Sequence, residues 1–150
     1  MRPENGVKYY SGIATYTKTF DLPANTTLGE NEKFYLDLGK VNNLARIQLN
    51  GKDLGTVWTA PWKVDISEVV KEKENKLAIE VANLWPNRLI GDEQLTDDEI
   101  KDGQWPEWLL NNKPRTSGRY TFSTFKHYNK DSPLLRSGLL GPVTIEKTHF

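Results

Sequence analysis

Between Leu77 and Ala82 the chain alternates without a break: Leu77, Ile79 and Val81 fall on one side, Ala78, Glu80 and Ala82 on the other. A period of two marks a strand with one face on a core. The alternation stops at Asn83. Three residues on, Pro86 has no amide hydrogen for a ladder and bars a central strand from continuing. The stretch Leu77 to Arg88 therefore predicts a core strand that runs to a sheet edge and empties into a loop carrying Trp85, Asn87 and Arg88. From there to about Ser137 the sequence is irregular, aromatic and charged.

The rest of the chain reads as short strands and turns. Residues 9–22 are rich in Tyr, Thr and Phe and predict a long strand ended by Pro23. Ala14, Tyr16 and Phe20 share its face with Lys18 between them, which places it near an edge. Phe34, Leu36 and Leu38 mark a second strand, and Ala45, Ile47 and Leu49 a third. Asn50-Gly51 predicts a tight hairpin, because both residues tolerate positive φ, with a return strand from Lys52 to Trp58 and a bulge at Gly55. Trp62, Val64 and Ile66 form a further alternating run, and Ser67 or Asp65 caps a single turn through Val70. Thr96-Asp97-Asp98-Glu99 has the form of a capping box, predicting a short helix that stops by Gly103. Pro106 opens a second helix through Leu110. Arg119 to Phe125 returns to a strand-like composition, and Gly141-Pro142 introduces a last strand with Val143 and Ile145 inward. Roughly seven to nine short strands with almost no helix make an all-β sandwich or barrel.

Composition narrows the function classes. The 150 residues fit one domain of ordinary size. Twenty basic residues balance 20 acidic ones, against a nucleic-acid partner. There is no cysteine, hence no disulfide framework and no thiolate chemistry. No apolar run approaches the roughly 18 residues of a membrane helix, and the N-terminus lacks the apolar core of a signal peptide. The chain is then either cytosolic or a piece of a longer exported protein.

The order of motifs carries a resemblance. YSGIATYTKTF, LDLGKV, ARIQLNGKDLGTVWTAPWKVDIS and NKLAIEVANLW resemble the sugar-binding β-sandwich of glycoside hydrolase family 2. NRLIGDEQL, PRTSGRYTFSTFKHY and KDSPLLRSGLLGPV are similar to the C-terminal sandwich of the α-L-rhamnosidase-like enzymes of family 106, found in gut and soil Bacteroidetes. The resemblance covers residues 9–147. It implies a galactose-binding-domain-like jelly-roll β-sandwich with a long irregular insertion: one accessory domain over residues 1–150, with core strands at about 9–84 and 119–147 and the irregular aromatic stretch at about 85–118. In such enzymes the catalytic carboxylates lie in a separate barrel, so the resemblance implies a non-catalytic part of an exported glycoside hydrolase. Its partners would be carbohydrate, the catalytic domain of the parent enzyme, or both, with neither nucleic acid nor membrane involved.

The residues that would carry a contact face lie in and after the irregular stretch. Trp85, Trp105 and Trp108 could form a platform for the C–H faces of sugar rings. Asn87, Arg88, Arg115 and Arg119 supply hydrogen-bond donors, with Tyr120, His127 and Tyr128 beside them. The bland alternative is that these groups pin a long loop to the sandwich or form an interdomain surface without sugar affinity. Asp92, Glu93, Asp97, Asp98, Glu99, Asp102 and Glu107 read as solvated acids on a capped helix rather than as a catalytic pair, and a stand-alone glycosidase is the least favoured reading. His127 and His149, without cysteine, give no zinc spacing, and no cofactor motif is present. The calcium-loop template is not met, and a structural calcium held by carbonyls is not readable from the sequence.

Overall fold

The computed structural model describes residues 5–29 and 31–149. It divides into two compact units: Gly12–Leu84 with Arg136–Phe150, and Met1–Ser11 with Trp85–Leu135.

The first unit is the sandwich. Its strands are β1 (Ile13–Phe20), β2 (Glu32–Asp37), β3 (Lys40–Asn42), β4 (Leu44–Leu49), β5 (Lys52–Val57), β6 (Lys63–Asp65), β7 (Asn75–Ala82), β8 (Gly138–Gly141) and β9 (Thr144–His149). One sheet runs β1-β7-β4-β5, a second β6-β2-β9, and β3 pairs with β8; all the ladders are antiparallel. The alternation that opens the sequence is β7, where Leu77, Ile79 and Val81 are buried and Ala78, Glu80 and Ala82 partly exposed. Leu38, Ala45, Ile47, Leu49 and Ile66 are fully buried against them. Each of the buried Leu, Ile and Val side chains contributes about 1.5–3 kcal/mol of transfer free energy.

The hairpin expected at Asn50-Gly51 joins β4 to β5, with both residues at positive φ. Gly55, φ +89, sits at the expected bulge, and its amide donates to Asp53 Oδ1. Asn75 is buried but satisfied: its Oδ1 accepts from Lys71 N at 2.8 Å and Asn50 Nδ2 at 3.0 Å, and its Nδ2 donates to Lys71 O at 2.6 Å. It ties the hairpin tip to the start of β7. At the other end of β7, Asn83 Oδ1 accepts from Gly12 N at 2.8 Å, holding the chain where it enters β1.

The second unit is the insertion between β7 and β8, together with the first described residues. It contains three short helices, α1 (Asn5–Lys8), α2 (Pro86–Asp92) and α3 (Glu107–Leu110). Pro86 stands in the first turn of α2, where its missing N–H costs nothing. Asn87 Nδ2 donates to Leu135 O and Asn87 Oδ1 accepts from Leu135 N, both at 2.8 Å, so one buried amide clasps the two ends of the insertion. Tyr9 lies against Gly91 so closely that a β-carbon at residue 91 would stand 2.6 Å from its ring stem.

Three expectations are corrected. The strand drawn over 9–22 is only Ile13–Phe20; Tyr9 is buried on Gly91 in the other unit and cannot also serve the sandwich. No helix begins at Thr96. A capping box needs Glu99 to turn back on the residue 96 amide, but Glu99 instead points inward to Arg119 and Ser123. Arg119 to Phe125 is not a strand. The amides of Tyr120 and Thr121 donate to Asp92 Oδ2 and that of Ser123 to Glu99 Oε1, so buried carboxylates hold the donors a ladder would need.

Candidate functional site

The insertion has few buried apolar side chains and is organised by charge. Asp92, Glu99 and Arg119 are 1%, 4% and 6% exposed. Asp92 lies one helical turn after Arg88, whose Nη2 reaches its Oδ1 at 2.8 Å. Asp92 Oδ2 accepts from the Tyr120 and Thr121 amides and from Thr121 Oγ1, at 2.9, 2.6 and 2.7 Å. Arg119 lies between two glutamates, Nη2 at 3.1 Å from Glu93 Oε1 and Nη1 at 3.2 Å from Glu99 Oε2. The second approach is not aligned as a hydrogen bond, and Arg119 Nε is buried without an acceptor, so this pair is held by charge more than by direction. Arg115 grips Asp98 through two bonds, Nε to Oδ2 at 2.8 Å and Nη2 to Oδ1 at 2.6 Å, and Lys126 pairs with Asp97. The forked bond to Arg115 holds the Asp98 carboxyl at about 2, well below its usual value. Asp97 is lowered in the same sense, first by its hydrogen bond to Lys126.

The solvated-acid reading therefore holds for Asp102 and Glu107, which stay exposed, and is corrected for the others. Asp92, Glu93, Asp98 and Glu99 pair with Arg88, Arg119 and Arg115, because a loop with little apolar surface must neutralise what it buries.

The aromatic groups are set on this frame. Trp108 Nε1 donates to Asp98 O at 2.8 Å, and the Arg115 guanidinium lies 5.1 Å from the Trp108 ring centre. Phe122 stacks on Trp105 at 5.9 Å with 12° between planes and meets Trp108 edge-on at 5.9 Å. Trp105 and Trp108 together border a groove of about 440 Å³, with Asp102, Gln104 and Glu107 offering polar atoms along it. Trp105 remains 48% exposed. The groove thus joins flat apolar walls to short polar side chains, as a polyhydroxylated ring requires.

The other expected contact residues are dispersed. Trp85 precedes α2, exposed and away from the groove. Asn87 is the buried clasp. Arg88 lies over the exposed Tyr120 ring at 5.2 Å. Arg115 is behind Trp108, and Arg119 is buried with its glutamates. His127 and Tyr128 meet edge-on at 4.9 Å beside a small recess walled also by Leu89, Glu93 and Lys126. Phe122 and Gln104 are not among the expected contact residues, and Asp102 is expected only as a solvated acid. Phe122 was counted as a strand residue, and nothing in its neighbours signals a stack on a residue 17 positions earlier. Among the described residues no three His, Asp or Glu side chains are grouped to hold a metal ion. None of their helices is long and apolar enough to cross a membrane.

Comparison with known proteins agrees with the antiparallel sandwich. A Formosa agariphila protein named "Putative beta-glucuronidase" is 51% identical over 144 residues, which are 93% of this chain and 12% of that protein. The structure of a rhamnosidase from Novosphingobium sp. PP1Y matches 98% of this chain with a TM-score of 0.75 at 38% identity, using 12% of its own length. The chain thus spans about an eighth of either relative. Residues 5–120 fit the model of the glycosyl hydrolase 2 galactose-binding domain-like family, in keeping with the antiparallel sandwich. From the start of α1 into the charged insertion, this chain belongs to that family.

Proposed function

We propose that the chain is a non-catalytic accessory domain of a larger, exported glycoside hydrolase and that its insertion contacts carbohydrate through the groove of Trp105 and Trp108. The observation that supports it most is the convergence of these two indoles, braced by Phe122 and Arg115, on one open groove with polar side chains along it. Catalysis is assigned to another part of the parent enzyme. The buried carboxylates Asp92 and Glu99 are engaged by arginines and main-chain amides, which leaves them poorly suited to trade protons with a substrate. The share of length matched in both relatives favours a module in a longer protein.

The test is titration of the chain with a panel of neutral mono- and oligosaccharides, read by tryptophan fluorescence and by amide shifts at Gln104 and Glu107. Saturable shifts lost in Trp105→Ala support the reading. No response at millimolar sugar removes the carbohydrate part. A second reading then stands: the domain docks on its catalytic neighbour. The exposure of Leu110, Tyr120 and Phe125, at 68%, 79% and 74%, favours it, since large apolar groups bare to water often mark an interface.

A further inference from the structure

The sandwich is closed on one flank and open on the other. Beside β5 and β6 the core is covered by Leu54, Val57 and Trp62, all partly buried against it. Along β1 and β9 lies an apolar cleft of about 620 Å³. Its floor is the core itself: Leu36, Ile79, Phe34 and Leu77 line it.

The register shows what the two rims present. Tyr16 pairs with Ile79 and Lys18 with Leu77, so both side chains of β1 share the face of the buried β7 residues. Ile145 pairs with Leu36 and Lys147 with Phe34, so β9 likewise turns Ile145 and Lys147 toward the core face. β1 and β9 are each the last strand of their sheet, so among the described residues Ala14–Phe20 of β1 and Thr144–His149 of β9 each turn one row of main-chain donors and acceptors away from the ladders. Lys147 is held by Glu32 at 2.6 Å, whereas Lys18 has no ion-pair partner among the described residues.

We propose that this cleft seats a β-strand from another segment of the parent polypeptide, apolar at alternate positions and carrying an acidic residue to meet Lys18. Three features choose that occupant. A strand offers the main-chain groups that a free edge lacks, which a sugar or a lipid tail does not. The floor consists of aliphatic and aromatic side chains spaced by the sheet period, which alternating apolar residues would match. The matched relatives are about eight times as long as the stretch they share with this chain, so such a segment is available in a parent of that size. Edge strands also carry inward lysines merely to deter pairing, and the test separates that role from a seat.

The proposal rests on the chain being part of a longer protein and is independent of the tryptophan groove. The experiment places the photoreactive residue p-benzoylphenylalanine at position 143, where Val143 is 39% exposed at the cleft, in the full-length parent protein. Irradiation followed by peptide mapping should give an adduct with an alternating segment of the same polypeptide outside these 150 residues. Adducts only within the 150 residues, only between two copies, only with a small molecule, or no adduct would each overturn it. Hydrogen exchange gives a second readout without substitution. The outward amides of β1 or β9 should exchange roughly tenfold or more slowly in the parent protein than in the isolated chain, and equal rates on both edges would also overturn it. The groove titration is unaffected by either result.

Discussion

Arg119 and Glu99 meet inside the insertion with their side chains 1% and 3% exposed, Nη1 to Oε2 at 3.2 Å. The polar frame has a consequence for the groove. Glu99 also holds the Ser123 amide, and the next-door Phe122 stacks on Trp105, so the wall of the groove is fixed through a buried charge. A charge paired in this way adds little net stability over a well-packed apolar pair, but removal of one partner leaves the other stranded.

Arg119→Ala should therefore cost about 3–5 kcal/mol, far more than loss of an exposed ion pair. Chemical denaturation followed by tryptophan fluorescence measures it, and the Tyr120 and Ser123 amides should lose exchange protection first. A joint Arg119→Met, Glu99→Leu change should be less harmful than Arg119→Ala, because it leaves only Glu93 without its partner where the single change strands both Glu93 and Glu99. If the single change is neutral, the frame does not depend on this pair.

The Asp98–Arg115 fork predicts acid lability. Asp98 has an ordinary carboxyl value of 3.8 when free and about 2 when folded. A depressed folded value means that its stabilisation is complete above the unfolded value and is lost as pH falls from about 4 through 2. Asp97, lowered by Lys126, acts in the same direction. The loss from Asp98 is on the order of 1–2 kcal/mol once partial solvent access is allowed for. Carbon-detected titration of the Asp98 carboxyl should show a midpoint near the folded value, and Arg115→Gln should move it up toward 3.8.

These charge pairs mark where the sequence was legible and where it was not. Leu77 to Ala82, the Asn50-Gly51 turn and the bulge at Gly55 were readable because each depends on neighbours in the chain: alternation, positive φ, a missing side chain. Pro86 was seen as a strand breaker, yet it also opens α2, because the same absent N–H is tolerated in a first helical turn. The insertion failed where long-range partners outweighed local preference. Arg119–Phe125 has strand composition, but its amides serve Asp92 and Glu99, 24 to 29 residues away in sequence. Thr96–Glu99 has a helix-start pattern, but its acids are drawn to Arg115, Arg119 and Lys126. Of the three tryptophans expected to form a platform, Trp105 and Trp108 border one groove and Trp85 does not, a distinction that only the path of the loop decides.

The groove itself yields a prediction about ligand charge. Asp102 and Glu107 line it without a salt bridge among the described residues, and Lys101 is its only cationic lining residue. If it takes sugars, neutral rings should bind better than uronates, whose carboxylate would face like charge. Titration of a neutral sugar and its uronate measures the ratio, which should narrow in high salt as the repulsion is screened. Phe122→Ala should weaken the neutral sugar, since it removes one stacked and one edge-on pair, each worth about 0.5–1.5 kcal/mol beyond the area it buries. Equal binding of the two sugars would contradict the charge argument.

Asn87 supplies the last prediction. Its amide makes two bonds to the main chain of Leu135 in a site 6% exposed. Asn87→Ala removes both bonds to the Leu135 main chain, each contributing about 0.5–1.5 kcal/mol net. The ends of the insertion should then part, and limited proteolysis should cut between residues 85 and 135 while the sandwich ladders remain protected. Asn87→Asp is the sharper variant. Its carboxylate still accepts from the Leu135 amide, but its second oxygen faces the Leu135 carbonyl, and the repulsion raises the carboxyl's folded value. Protonation restores a donor, so the deficit of Asn87→Asp relative to the parent sequence should shrink as pH falls below that raised value and grow above it. A deficit that does not change with pH would mean that the clasp works by shape and not by its two hydrogen bonds.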